Sequence, residues 1–157
     1  MKVINRSDST VTYELPELSV RRTFSPGEEK DITGKELEML YQQTGGYPLI
    51  KDFLLVGDRD WVLRHYPDAP IEYFWNFDDI RKCILEDSPE LFAETLDYAP
   101  EGVVDVIKRL AWQLPMTDLN KVESLREKTG FDAQAATQLM SNVTVTNKDT
   151  TSRLRKG

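Results

Sequence analysis

One histidine, one cysteine and a few carboxylate pairs are the groups in this 157-residue chain from which catalytic chemistry would have to be built. His65 stands between Arg64 and Tyr66. A Ser-His-Asp arrangement would need a serine on a strained Gly-x-Ser-x-Gly turn, and the sequence has none. Cys83, flanked by Ile80, Ile84 and Leu85, reads as a small buried hydrophobe and not as a nucleophile. With one Cys and one His, a single chain cannot assemble a structural zinc site or a Cys/His/Cys deaminase site. The adjacent carboxylates Glu28-Glu29 and Asp78-Asp79 would point about 100° apart on a helix, and the second pair falls in a first turn where negative charge favourably meets the helix dipole. Asp52, Asp58 and Asp60 surround Gly57 without the alternating oxygens or the closing glutamate of an EF-hand. Gly45-Gly46 follows a helix and lacks the Gly-Lys-Ser/Thr ending of a phosphate loop. The chain is therefore expected to be no enzyme and to hold no cofactor and no metal.

Binding is the better-supported chemistry. Tyr73-Phe74-Trp75-Asn76-Phe77 places four large rings in five residues, and no regular element can turn all four into one core. At least one ring is expected at a surface, with Tyr73 and Trp75 as candidate partner contacts because Tyr and Trp are enriched at interface hot spots. Arg21 and Arg22 near the N-terminus and Arg153, Arg155 and Lys156 near the C-terminus complete the candidate partner-binding set. Nucleic acid is weighed on the spacing of two helices, 118–128 and 133–140, joined by Gly-Phe-Asp as in a helix-turn-helix. The second of these offers Gln134, Thr137 and Gln138 but no Lys or Arg. Phosphate contact is thus expected only through the C-terminal tail.

The elements that must position these residues are read from pattern. Lys2 to Ile4, Thr10 to Leu15 and Leu18 to Phe24 alternate enough to predict a small antiparallel ribbon. In the third run Leu18, Val20, Arg22 and Phe24 share one face. Ser25-Pro26-Gly27-Glu28 is a turn. Thr33 with Glu36 forms a capping box that opens a helix from about Gly34 to Gln43, and Gly45 stops it. Gly45 to Pro48 is expected to turn, and Leu49 to Val56 to be extended. Asp58 or Asp60 caps a short helix to Tyr66, Asn76 caps Phe77 to Glu86, and Ser88-Pro89 opens a helix to Leu96. Pro100 opens Glu101 to Gln113, Thr117 caps Asp118 to Lys128, and Asp132 caps Ala133 to Met140. The expected fold is α+β and α-dominated, with an N-terminal β-ribbon (1–31), a helical body (32–141) of five to six short helices in one globular domain (1–141), and an extended, flexible basic tail (142–157).

Charge is unevenly distributed along the chain. The net charge is −7 and the isoelectric point about 4.8. Residues 61–105 carry 3 basic and 11 acidic side chains, and residues 106–157 carry 9 and 5. An acidic middle and a basic end favour head-to-tail association of the chain with itself or docking on a partner of mixed charge. No apolar run approaches the ~20 residues of a membrane span, and the N-terminus lacks the apolar stretch of a secretory signal, so a cytoplasmic protein without membrane contact is expected.

Two segments carry a resemblance. Leu-Asp-Tyr-Ala-Pro-Glu-Gly-Val-Val-Asp-Val-Ile-Lys (96–108) and Arg-Arg-Thr-Phe-Ser-Pro-Gly-Glu-Glu-Lys (21–30), together with the arginine-bearing end, resemble small accessory proteins of tailed bacteriophages. The resemblance implies a non-enzymatic virion or assembly protein, bound in multiple copies to the capsid or neck, located in the virion and, during assembly, in the host cytoplasm. A host-directed inhibitor with an acidic surface and a DNA-contacting accessory protein are the alternatives.

Overall fold

The computed structural model describes residues 1–114 and 118–132. Within them the chain is α+β and helix-dominated, as the pattern predicts. The strands are β1 (Lys2–Asn5), β2 (Val11–Leu15), β3 (Val20–Phe24), β4 (Glu29–Asp31) and β5 (Leu54–Val56). The helices are α1 (Gly34–Gln42), α2 (Gly46–Asp52), α3 (Arg59–His65), α4 (Phe77–Glu86), α5 (Pro89–Tyr98), α6 (Glu101–Gln113) and α7 (Leu119–Thr129). Seven helices thus stand among the described residues, where five to six were expected. The predicted helix at 133–140 and the tail lie outside the described residues.

β2 and β3 pair antiparallel with Tyr13 opposite Arg22 and Val11 opposite Phe24. Val11, Tyr13 and Leu15 turn inward and Thr12 and Glu14 outward, the period of two that a half-buried strand requires. Leu18 departs from the expectation. It sits in a 3₁₀ turn, Pro16–Leu18, and the strand starts only after Ser19 adopts φ 54°. A second, three-stranded antiparallel sheet has the order β4-β1-β5. The turn between β3 and β4 closes as predicted, with Glu28 N donating to Ser25 O at 2.9 Å and Gly27 at φ 79°.

The segment after α1 corrects two expectations. Gly45 does not end α1, which closes at Gln43 through bonds to Leu40 O and Met39 O. Gly45, at φ 83°, instead reverses the chain into α2, and Leu49 to Asp52 are helical where extended backbone was expected. A Cβ on Gly46 would lie 1.6 Å from Leu40 O, so only glycine lets the two helices meet this closely.

Buried apolar side chains gather in two clusters. The first, around Phe24, Leu37, Leu40, Ile50, Trp61 and Tyr73, lies beneath the sheets and α1 to α3. The second, around Ile84, Phe92, Ile107 and Leu125, lies between α4, α5, α6 and α7. Each fully buried Phe or Leu contributes about 1.5–3 kcal/mol of burial free energy. The clusters meet where α6 crosses α2. A Cβ on Gly102 would stand 2.4 Å from Asp52 O and 3.2 Å from Arg6 Cγ. Asp52 Oδ1 accepts from Glu101 N at 3.3 Å, and Asp8 pairs with Arg109 at 3.1 Å.

Candidate binding cleft

Most groups that looked able to do chemistry are held in structural roles. His65 lies flat on Trp61, ring centroids 3.9 Å apart. Its Nδ1 meets Trp61 O at 2.8 Å and its Nε2 meets Glu38 Oε2 at 2.6 Å. Cys83 is buried with Sγ 3.8 Å from Thr95 Oγ1, and burial above all pushes its thiol up to about 12. Asp79 completes a reciprocal cap with Asn76, at 2.9 and 3.0 Å. Asp58 caps α3 through Trp61 N at 3.1 Å, and Asp52 caps α6.

A cleft of about 360 Å³ opens between the two halves of the molecule. α2 contributes Tyr47, Lys51 and Asp52, the segment after α3 contributes Tyr66 and Asp68, and the end of α5 contributes Asp97 and Tyr98. Pro67, Pro70 and Pro100 also line it, fixing φ at three positions on its walls. Tyr66 is anchored by its hydroxyl, which donates to Tyr47 O at 2.8 Å, and its ring lies 4.7 Å from that of Tyr47. Burial, reinforced by Tyr73, Tyr47, Tyr41 and Asp52, drives the Tyr66 phenol well above its ordinary value, so it stays a neutral donor. Tyr47 is 46% exposed and Tyr98 65% exposed, and both line the cleft. Asp97 takes the amine of Lys128 from α7.

No family model, no curated protein and no solved structure matches the chain.

The candidate partner residues read from the sequence separate in space. Arg21 is outward-facing and pairs across the hairpin with Glu14 at 3.5 Å. Arg22 is held by Glu36, with Nε to Oε2 at 3.1 Å and Nη2 to Oε1 at 2.9 Å, and its side chain remains partly exposed. Tyr13 donates to the same carboxylate at 2.7 Å. Glu36 therefore makes only half of the expected capping box: its amide bonds Thr33 Oγ1 at 3.1 Å while its side chain is spent on the hairpin.

Tyr73 requires correction. It is 1% exposed, its hydroxyl donates to Leu54 O at 2.9 Å and accepts from Val56 N at 3.2 Å, and it thereby covers the outer edge of β5. The guanidinium of Arg6 lies 4.6 Å over its ring and donates to the carbonyls of Glu72, at 3.4 Å, and Tyr73. Burial lowers that guanidinium to about 10. Trp75 is half-buried against the second cluster, and the ring of the run that does stand out is Phe77. Arg153, Arg155 and Lys156 lie outside the described residues. Sequence reasoning missed Tyr47, Tyr66, Asp68 and Tyr98. The available signal was the run 96–108, which places Asp97, Tyr98 and Pro100 on the cleft.

Proposed function

We propose that the chain is a non-enzymatic interaction protein of a tailed-phage particle, bound in multiple copies to capsid or neck proteins. The observation that carries this reading is a pair of large exposed side chains on one side of α5. Leu91 and Tyr98 stand seven residues apart on α5, two turns along one side, and are 53% and 65% exposed. Ile71 and Leu119 are also large and exposed, and Tyr98 is of a residue type enriched at interface hot spots. The structural use of His65, Cys83 and Asp79 supports a role in binding rather than turnover. The resemblance of 21–30 and 96–108 supports the phage context.

Mass spectrometry of purified particles tests the proposal, with peptide counts for this chain set against those of the major shell protein. A fixed ratio is expected, and its value places the chain on capsomers, vertices or the neck. Absence from particles while the protein is abundant in infected cells overturns the reading. The weight then moves to a host-directed inhibitor, which the acidic excess of residues 61–105 favours as the second reading.

A further inference from the structure

Both ring nitrogens of His65 face an acceptor. Nδ1 lies 2.8 Å from Trp61 O, a carbonyl of the same helix α3, and Nε2 lies 2.6 Å from Glu38 Oε2 on α1. A carbonyl and an ionised carboxylate have no proton to offer, so the ring must donate both bonds. A neutral imidazole carries one N–H and an imidazolium carries two. Either neutral tautomer would aim a nitrogen lone pair at an oxygen at hydrogen-bond distance, and only the imidazolium satisfies both contacts. Placing the second proton on Glu38 instead would set it on the weaker base of the two.

The surroundings suit a charged ring. It lies on the Trp61 indole with centroids 3.9 Å and planes 16° apart, where the negative face of the indole attracts a cation. From α1 the Tyr41 ring stands nearly perpendicular to it at 4.7 Å, and the Tyr41 hydroxyl donates to His65 O at 3.2 Å. Among the described residues Glu38 is the charged group bonded to the ring and Tyr41 the titratable group packed on it. The His65 side chain is 15% exposed and that of Glu38 43% exposed, so solvent protons reach the pair without unfolding. Tyr47 and Tyr66, which line the cleft, also pack on Tyr41, at 5.7 and 5.5 Å.

We propose that His65 is a proton-operated latch between α3 and α1, closed while its ring carries two protons and released when it loses one. Donor counting sets the direction, because a ring with one N–H cannot keep both oxygens and must leave its seat. Histidine changes charge between about pH 5 and pH 8, and the chain has a single one, so the latch has one trigger. Through Tyr41 the release is passed to Tyr47 and Tyr66 on the cleft wall. The inference stands independently of the phage-particle reading.

The full ¹⁵N-labelled chain tests it by NMR, since its sole histidine gives an unambiguous imidazole signal. At about pH 5.5 both ring nitrogens are expected to be protonated, with strong Overhauser contacts between His65 and Trp61. As the pH is raised to about 8.5 and one nitrogen loses its proton, those contacts are expected to weaken several-fold. Amide shifts at 38–41, 47 and 61–66 are expected to follow the same titration. Glu38→Ala removes the acceptor on α1 and leaves the Trp61 carbonyl, which a single N–H satisfies. In that variant the ring is expected to keep its Trp61 contact at both pH values, and the amides at 38–41 to stop following it. A parent ring with one bare nitrogen at about pH 5.5 overturns the proposal, as does a neutral parent ring whose contacts with Trp61 are unchanged. A Glu38→Ala ring that still leaves Trp61 on losing a proton overturns it as well, because the second acceptor is then not what expels it.

Discussion

At the scale of single residues, Glu36 does most to join the hairpin to the helices. Its carboxylate is buried and takes three hydrogen bonds, from Tyr13 Oη, Arg22 Nε and Arg22 Nη2. Burial pushes this carboxyl up, but the bonds from Arg22 and Tyr13 outweigh it and hold the group below the ordinary carboxylate range. A folded value below the unfolded one means that its stabilisation is fully present above the unfolded carboxyl value of about 4.3 and is lost as pH falls through the lower folded value. Glu36→Gln is therefore expected to flatten the acid limb of a stability-against-pH curve measured by urea unfolding. An unchanged limb would mean that other carboxylates control it. Tyr13→Phe removes one bond and should cost about 1 kcal/mol, whereas Glu36→Ala strands both partners and should cost about 3 kcal/mol. The sequence marked Thr33 and Glu36 as a cap and placed Arg22 on the inward face of its strand. It did not show that the two belong together, because their meeting depends on how β3 lies over α1, which no local pattern encodes.

At the scale of elements, polar patterns and caps were legible where the responsible residues lie within one turn of the element they define. Asn76 opens α4, Ser88 opens α5 and Pro100 opens α6, all as read from type and spacing. α2 was hidden because Gly45-Gly46 and Pro48 read as a turn, yet Pro48 falls in the first turn of the helix, where its missing N–H has no intrahelical partner to lose. β4 was hidden because Glu29, Lys30 and Asp31 are all charged. It is an edge strand held by β1, where charge on the rim blunts further pairing. The C-terminal end of α4 is closed by a residue 37 positions further on: buried Lys121 donates from Nζ to Ile84 O at 2.9 Å. An ammonium at this end both satisfies carbonyls that the helix leaves open and meets the negative end of its dipole. Lys121→Met keeps most of the volume and leaves those carbonyls unpaired. A loss of about 1–3 kcal/mol is expected by thermal or urea unfolding. A variant as stable as the parent would show that water replaces the ammonium at no cost.

At the scale of the whole molecule, the two apolar clusters are coupled through a narrow junction, and the cleft exists only while that junction holds. Four features cross it. Arg6, clamped on the carbonyls of Glu72 and Tyr73, lays its side chain against Gly102, Asp8 pairs with Arg109, Asp52 caps the start of α6, and Gly102 lets α6 approach Asp52 O. These contacts predict that the clusters unfold together, and Cys83 supplies the probe. Its thiol is buried in the second cluster and driven up to about 12, so it should react with a disulfide reagent only when that cluster opens. In urea, thiol labelling and far-ultraviolet circular dichroism are expected to share one midpoint in the parent chain. Gly102→Ala places a Cβ 2.4 Å from a backbone oxygen that cannot rotate away, so α6 must lift from α2. The substitution should cost about 1–3 kcal/mol and separate the two midpoints, with the cleft residues at 47–52 and 97–100 losing amide protection before the interior of either cluster. Coincident midpoints in this variant would show that the junction tolerates the shift and that the coupling runs through Arg6 and the Asp8–Arg109 pair instead.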